Sequence, residues 1–126
     1  MAQEENKENK INVLYEDETC QVTDLYIKIY KYFFPLPTSR TIMFTDIDQI
    51  TLESTMDVTT PWGPSSHHLN NWFHLDANRN KKPYFIAIHE KGERVIPSLT
   101  PDNAMKVFEL LRNHFIELGR KHPAMV

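Results

Sequence analysis

The sequence predicts a mainly β fold, of β-barrel or α+β type, with about seven short antiparallel strands and one helix at the C-terminal end. Three observations predict it. "DLYIKIYKYFF" and "YFIAIHE" alternate with period two and are rich in β-branched and aromatic residues. "TPDNAMKVFELLRNHFIELG" is the one stretch with a sustained helical apolar repeat. Prolines and polar clusters punctuate the chain between these segments. A single helix with one apolar stripe has to lie on a face or mouth of the sheet, so a curled antiparallel sheet plugged at one end by that helix is expected.

Residues 1–10, "MAQEENKENK", carry almost no apolar side chain and are expected to be a flexible tail. In "INVLYEDETCQV" the alternating Ile11, Val13 and Tyr15, the turn "EDET" and the return "CQV" predict a hairpin. The next strand places Leu25, Ile27 and Ile29 on one face and Tyr26, Lys28, Tyr30 and Tyr32 on the other. "PLPTS" breaks the pattern and "RTIMF" resumes it. Thr45 with Asp48 three residues on has capping-box spacing, which predicts one helical turn and then a short strand through Leu52. From Ser54 to about Asn70 the periodicity is lost, which predicts a long loop. "NWFHLD", "YFIAIHE" and "ERVIPSL" follow as strands, separated by "ANRNKKP" and "KG". In "YFIAIHE", Phe85 and Ala87 face one way and Tyr84, Ile86 and Ile88 the other.

For the helix, Thr100 is the expected N-cap, with Pro101 in the first position and Asp102 in the first turn. Ala104, Phe108, Leu111, Phe115 and Leu118 form the stripe, and Gly119 is the expected stop. The 126 residues thus divide into a tail, 1–10, one folded domain, 11–119, and a short tail, 120–126.

Composition narrows the function. A formal charge of −3 without a basic tract argues against nucleic-acid binding. No apolar run approaches a membrane span, and "MAQEENKENK" lacks the apolar segment of a secretory signal. The lone Cys20 allows no intrachain disulfide, so a reducing cytoplasmic setting is expected. Three glycines in all leave no glycine-rich phosphate loop.

Several blocks together carry a family resemblance. "YKYFFPLPTSRTIMFTDIDQI", then "WG" at Trp62–Gly63, "WFHLD" at Trp72–Asp76, Arg79, and "PSLTPDNAMKVFELL" resemble, in that order, the pleckstrin-homology-like (PH-like) superfamily. The resemblance is closest to small stand-alone bacterial proteins of that superfamily. It spans about Ile11 to Phe115 and implies a partly open barrel of two orthogonal sheets capped by the C-terminal helix. It implies no reaction, because one scaffold serves many partners. Phosphoinositide-binding members carry basic residues around the first hairpin loop. Here that loop holds Glu16, Asp17 and Glu18, which repel a phosphorylated headgroup.

The candidate site lies in "TTPWGPSSHHLNNWFHLD", residues 59–76, where Trp62, His67, His68, Trp72 and His74 cluster. Three imidazoles, with Asp76 nearby, raise the question of a metal. The spacing HH-x5-H matches no established ligand pattern, and loop histidines are read here as solvated, so neither metal nor cofactor is expected. Trp72 is read as a brace for the loop, while Trp62, between two prolines, suits a brace and an exposed contact equally. Asp46 and Asp48 are read as capping and solvent-facing groups, and Cys20 as a small buried hydrophobe. His89, His114 and His122 have nothing to join them. The expected function is a non-catalytic interaction module for a protein or peptide, binding through the loop surface or a strand edge. The alternative is a small-ligand or lipid scaffold at the mouth between the long loop and the helix. A metal-assisted hydrolase on the histidines is disfavoured.

Overall fold

The computed structural model describes residues 11–36 and 38–121, with side chains as far as His114. The two expected tails therefore lie almost wholly outside the described residues, as do the side chains of Phe115 and Leu118. The chain is mainly β. Four strands, β1 (Val13–Glu16), β2 (Cys20–Thr23), β3 (Tyr26–Ile29) and β4 (Arg40–Met43), form an antiparallel meander. Five more form a second sheet: β5 (Ile47–Ser54), β6 (Gly63–Ser65), β7 (His68–Phe73), β8 (Tyr84–Glu90) and β9 (Ile96–Leu99). One α-helix, α1 (Ala104–Lys121), follows.

The expected hairpin is present, and Asp17 builds its turn. Its Oδ1 accepts from the Thr19 amide and hydroxyl, both at 2.6 Å, and from the Cys20 amide at 3.1 Å. Its Oδ2 accepts from the Tyr15 hydroxyl at 2.5 Å and from the Asp102 amide at 2.8 Å, tying the turn to the entry of α1. Burial opposes ionisation of this carboxyl, but the bonds from Thr19, Tyr15 and Asp102 outweigh it and hold its pKa below the usual value.

The second sheet departs from the all-antiparallel expectation. Its order is β5-β8-β9-β7-β6, and β7 runs parallel to β9, with Asn71 opposite Ile96 and Phe73 opposite Ser98. Nine strands replace the expected seven, and no strand pairing joins the two sheets among the described residues. Part of the expected long loop supplies the extra pairing. Gly63 pairs opposite Phe73 and Ser65 opposite His68, leaving residues 55–62 as the irregular stretch and residues 66–67 as a tight turn. Gly63 sits at φ +80°, a conformation that side chains resist. A three-residue strand reading "GPS" has no apolar alternation to announce it.

Three local expectations are also corrected. The strand at "YIKI" stops at Ile29, and Lys31 turns through φ 55°. Leu25, in the turn before β3, is exposed, and Tyr32, beyond the turn at Lys31, is buried, the reverse of the expected faces. Thr45 caps nothing: a 3-10 turn covers Phe44–Asp46, with no side-chain cap, and β5 starts at Ile47. Phe44 and Ile47 are both buried, and residues three apart eclipse in a 3-10 turn, so both reach the core. Thr100 is not the N-cap. Asn103 holds that place, its Oδ1 accepting from the Lys106 amide and its carbonyl from the Val107 amide. Gly119 does not stop α1, because glycine inside a helix is a modest cost rather than a terminator. Asn103→Ala is expected to lower stability by about 1 kcal/mol, read from urea unfolding. No change would return the cap to Thr100.

The main core lies between the sheets and α1. Cys20, Val22, Ile27, Ile29, Ile42, Ile86, Ile88 and Leu99 meet Val107 and Leu111 there. Cys20 is the expected buried hydrophobe, and burial pushes its thiol up to about 12. The other face of the second sheet is buried as well. Phe85 and Ala87 of β8 join Phe73, Val58 and Ile96 in a smaller core beneath the 55–62 segment. Both alternating sets of "YFIAIHE" are therefore inside, apart from the exposed Tyr84.

Candidate functional site

The three histidines of the candidate stretch go to three different places. His67 is exposed in the turn between β6 and β7. His68 opens β7, and its ring stands edge-on to Phe85 at 5.4 Å and Phe73 at 6.4 Å. It is half-buried, and its Nε2 is sealed from solvent without a partner among the described residues. The reading of His68 as a solvated loop residue is thus corrected. His74, just beyond β7, is 1% exposed. Among the described residues no group of three or more His, Cys, Asp or Glu is placed to hold a metal ion.

The two tryptophans, in contrast, come together. Their rings are edge-on at 5.3 Å. Trp72 also lies 6.3 Å from Tyr32, and its indole N–H donates to the Tyr32 carbonyl at 3.0 Å. Trp62 packs edge-on against Phe34 at 5.5 Å, and Phe33 against Tyr32 at 5.0 Å. Five rings therefore link β7, the end of the 55–62 segment and the turn after β3. Tyr32 and Trp72 form the inner side of this cluster, against the main core. On the outer side Phe33 and Phe34 are 44% and 41% exposed, and Leu36 beside them 62%. Trp62, half-buried, both braces the cluster and borders the exposed rings. The turn that presents Phe33 and Phe34 is held from within, by Leu75 N–H donating to the Lys31 carbonyl and Tyr32 N–H to the Thr38 carbonyl.

Beside the cluster lies a buried polar network. The Thr100 amide donates to His74 Nε2 at 3.1 Å, which makes that nitrogen an acceptor and places the imidazole proton on Nδ1, 3.3 Å from the Tyr30 carbonyl. The Thr100 hydroxyl donates to Asp76 Oδ2. Lys82 Nζ donates to the same oxygen at 2.8 Å and to the Thr100 carbonyl at 2.7 Å. Arg79 donates from Nη1 to the Thr60 carbonyl at 2.7 Å and from Nη2 to the His74 carbonyl, and its guanidinium lies over Phe73 at 5.0 Å.

No family model, curated protein or solved structure matches the chain.

The chemistry of the network must therefore be read from its own geometry. Thr100, His74 and Asp76 have the composition of a hydroxyl–imidazole–carboxylate catalytic set, but not its wiring. In such a set the hydroxyl donates to the imidazole and the carboxylate holds the other ring nitrogen. Here the hydroxyl donates to the carboxylate, a backbone amide occupies Nε2, and a carbonyl holds Nδ1. Burial, then Arg79, draws the His74 pKa down to about 3, which leaves it a very weak base. Burial works against the Asp76 carboxylate, but Lys82, Thr100 and the Asn78 amide outweigh it and keep its pKa below the usual value. These residues clamp the end of β7 to the entry of α1.

The sequence pattern does not group Arg79, Lys82 and Thr100 into one unit. The available signal was the three-residue spacing of Asp76, Arg79 and Lys82 around a polar turn, which the 3-10 turn Arg79–Lys81 now explains. A cleft of about 510 Å³ adjoins the network, walled by Thr55–Pro61 and by the turn from Asp76 to Asn80. Among the described residues none of α1 lines it, so it is not the mouth expected between the loop and the C-terminal helix.

Proposed function

We propose that the protein is a non-catalytic interaction module of PH-like type that binds a protein or peptide through the exposed apolar surface of Phe33, Phe34 and Leu36, bordered by the half-buried Trp62. The observation that carries this reading is the division of labour around the candidate stretch. The groups capable of acid–base chemistry, His74, Asp76 and Thr100, are closed within internal hydrogen bonds. The large rings at its rim are left exposed on a turn held from behind. Aromatic side chains provide contact area with few torsions to freeze, which is what a binding surface needs. Two mainly antiparallel sheets followed by one C-terminal helix suit the PH-like reading.

A phosphoinositide headgroup is not the proposed ligand. Glu18 is exposed at the first hairpin turn, and Glu16 and Asp17 keep their carboxylates there, bonded to Tyr30 and Thr19. No described helix is long and apolar enough to cross a membrane, and a cytoplasmic setting accords with the single buried thiol.

Selection from a phage-displayed peptide library tests the proposal. The wild-type protein should enrich related peptides rich in apolar residues, and Phe34→Ser, with its circular dichroism unchanged, should enrich none of them. Equal enrichment by both proteins, or none by the wild type, would refute the aromatic surface as the binding site.

A further inference from the structure

We propose that the cleft above Arg79 is a binding site for a small molecule bearing an oxyanion, either phosphate or carboxylate. The inference rests on a buried guanidinium, without a carboxylate in direct contact and with an unpartnered Nε, next to an accessible volume. Arg79 is 3% exposed. A guanidinium carries five N–H donors. Two are engaged, by the carbonyls of Thr60 and His74, and Nε has no partner. No carboxylate pairs with Arg79 among the described residues. Asp76, the acidic residue in the cleft wall, is bound by Lys82 and Thr100 through Oδ2 and by the Asn78 amide through Oδ1. Lys82 pairs directly with Asp76 and, at 3.2 Å, with Asp102, whereas Arg79 has no carboxylate in direct contact and senses Asp76 only from a distance.

A cation removed from water whose direct contacts are two carbonyls and an aromatic face, with Asp76 acting only from a distance, is a costly arrangement, and an anion at its free edge offsets that cost. Arginine is well suited to the role, because its planar fork matches the spacing of oxygens in phosphate and carboxylate. The volume of about 510 Å³ is in the range that small-molecule sites occupy, so the oxyanion can carry a modest organic body. The wall that such a body meets mixes the hydroxyl of Thr59 with the apolar surface of Val58, Met56 and Pro61. The Thr60 carbonyl that now occupies Nη1 belongs to this wall, so the segment that seals the guanidinium is the one an entering anion displaces. This site is separate from the aromatic surface, and its success or failure is independent of the peptide reading.

Side-chain and backbone ¹⁵N spectra, recorded while sodium phosphate or sodium acetate is added to the full chain, provide the test. Sodium chloride at equal ionic strength is the reference. The expected result is a saturable movement of the Arg79 Nε–H resonance, together with the amides of Thr59 and Thr60. The salt that produces it at lower concentration identifies the preferred oxyanion. Arg79 substitutions can unfold the protein, so the variant is Thr59→Glu, which alters an exposed residue without side-chain hydrogen bonds among those described. A carboxylate placed in the cleft should weaken binding by about tenfold or more with the melting temperature retained. Movement no greater than with chloride for both salts, or equal binding by Thr59→Glu, would show that Arg79 is only a structural clamp.

Discussion

Acidification from pH 7 to pH 4 will lower the stability of the protein through His74, by at least about 1 kcal/mol, the equivalent of one unit of pKa difference. An imidazole in the unfolded chain takes up its proton near the ordinary pKa of 6.5. The native imidazole is drawn down to about 3, by burial first and by Arg79 second, and stays neutral. Between those two values the unfolded state binds more protons, so stability falls as the pH drops from 6.5 toward 3. Asp76 acts in a lower window. Its native pKa lies below 3.8, so its contribution is present above that value and is lost only as the pH falls further, through the native pKa. Urea unfolding at pH 7, 6, 5 and 4 should show the loss, and His74→Gln should flatten it over this range. The ¹⁵N shifts of the imidazole offer a second check. Protonation of native His74 above pH 5 with the fold intact would contradict the buried, neutral assignment.

Phe85→Ala will destabilise the protein by about 3–5 kcal/mol, as expected of a large core truncation. Phe85 is fully buried and packs on Phe73 with ring centres 4.9 Å apart, against Val58 and beside His68. It sits on the face of the second sheet that points away from α1 and the first sheet, a face that antiparallel sheets commonly leave to solvent. A near-neutral Phe85→Ala in thermal and urea melts would mean that this second core is loose. The 55–62 segment would then be unsupported, and with it the wall of the cleft over Arg79.

The aromatic cluster shows how far local pattern reaches. A bulky ring beside an irregular segment has to be covered, which makes Trp72 legible as a brace, although it lies near the end of β7 and not at the start of a strand, as "NWFHLD" suggests. The structure supplies the cover, in Tyr32 and Trp62. Two aromatic residues after "YIKIYKY" prolong the β pattern, so local rules carry the strand on through Phe33 and Phe34. Their exposure follows from the turn at Lys31, which the carbonyl contact to Leu75, far along the chain, holds in place. Thr100 illustrates a similar limit. Threonine before proline and aspartate is a fair N-cap by local rules, but its hydroxyl is claimed by Asp76, 24 residues earlier in the chain.

By itself the sequence determined the mainly β character, the first hairpin, the strand "YFIAIHE" with its two alternating faces, and the single C-terminal helix. Each of these depends on residues within a few positions of one another, whose period or turn chemistry is visible locally. Only the tertiary structure decided the parallel pairing of β7 with β9, the separation of His67, His68 and His74 into three environments, and the Asp76–Lys82–Thr100 clamp. The physical reason is that strand order and buried polar pairing are chosen among distant segments. They follow from which arrangement covers both faces of the second sheet while leaving Asp76 and His74 hydrogen-bonded. No period in the sequence records that choice.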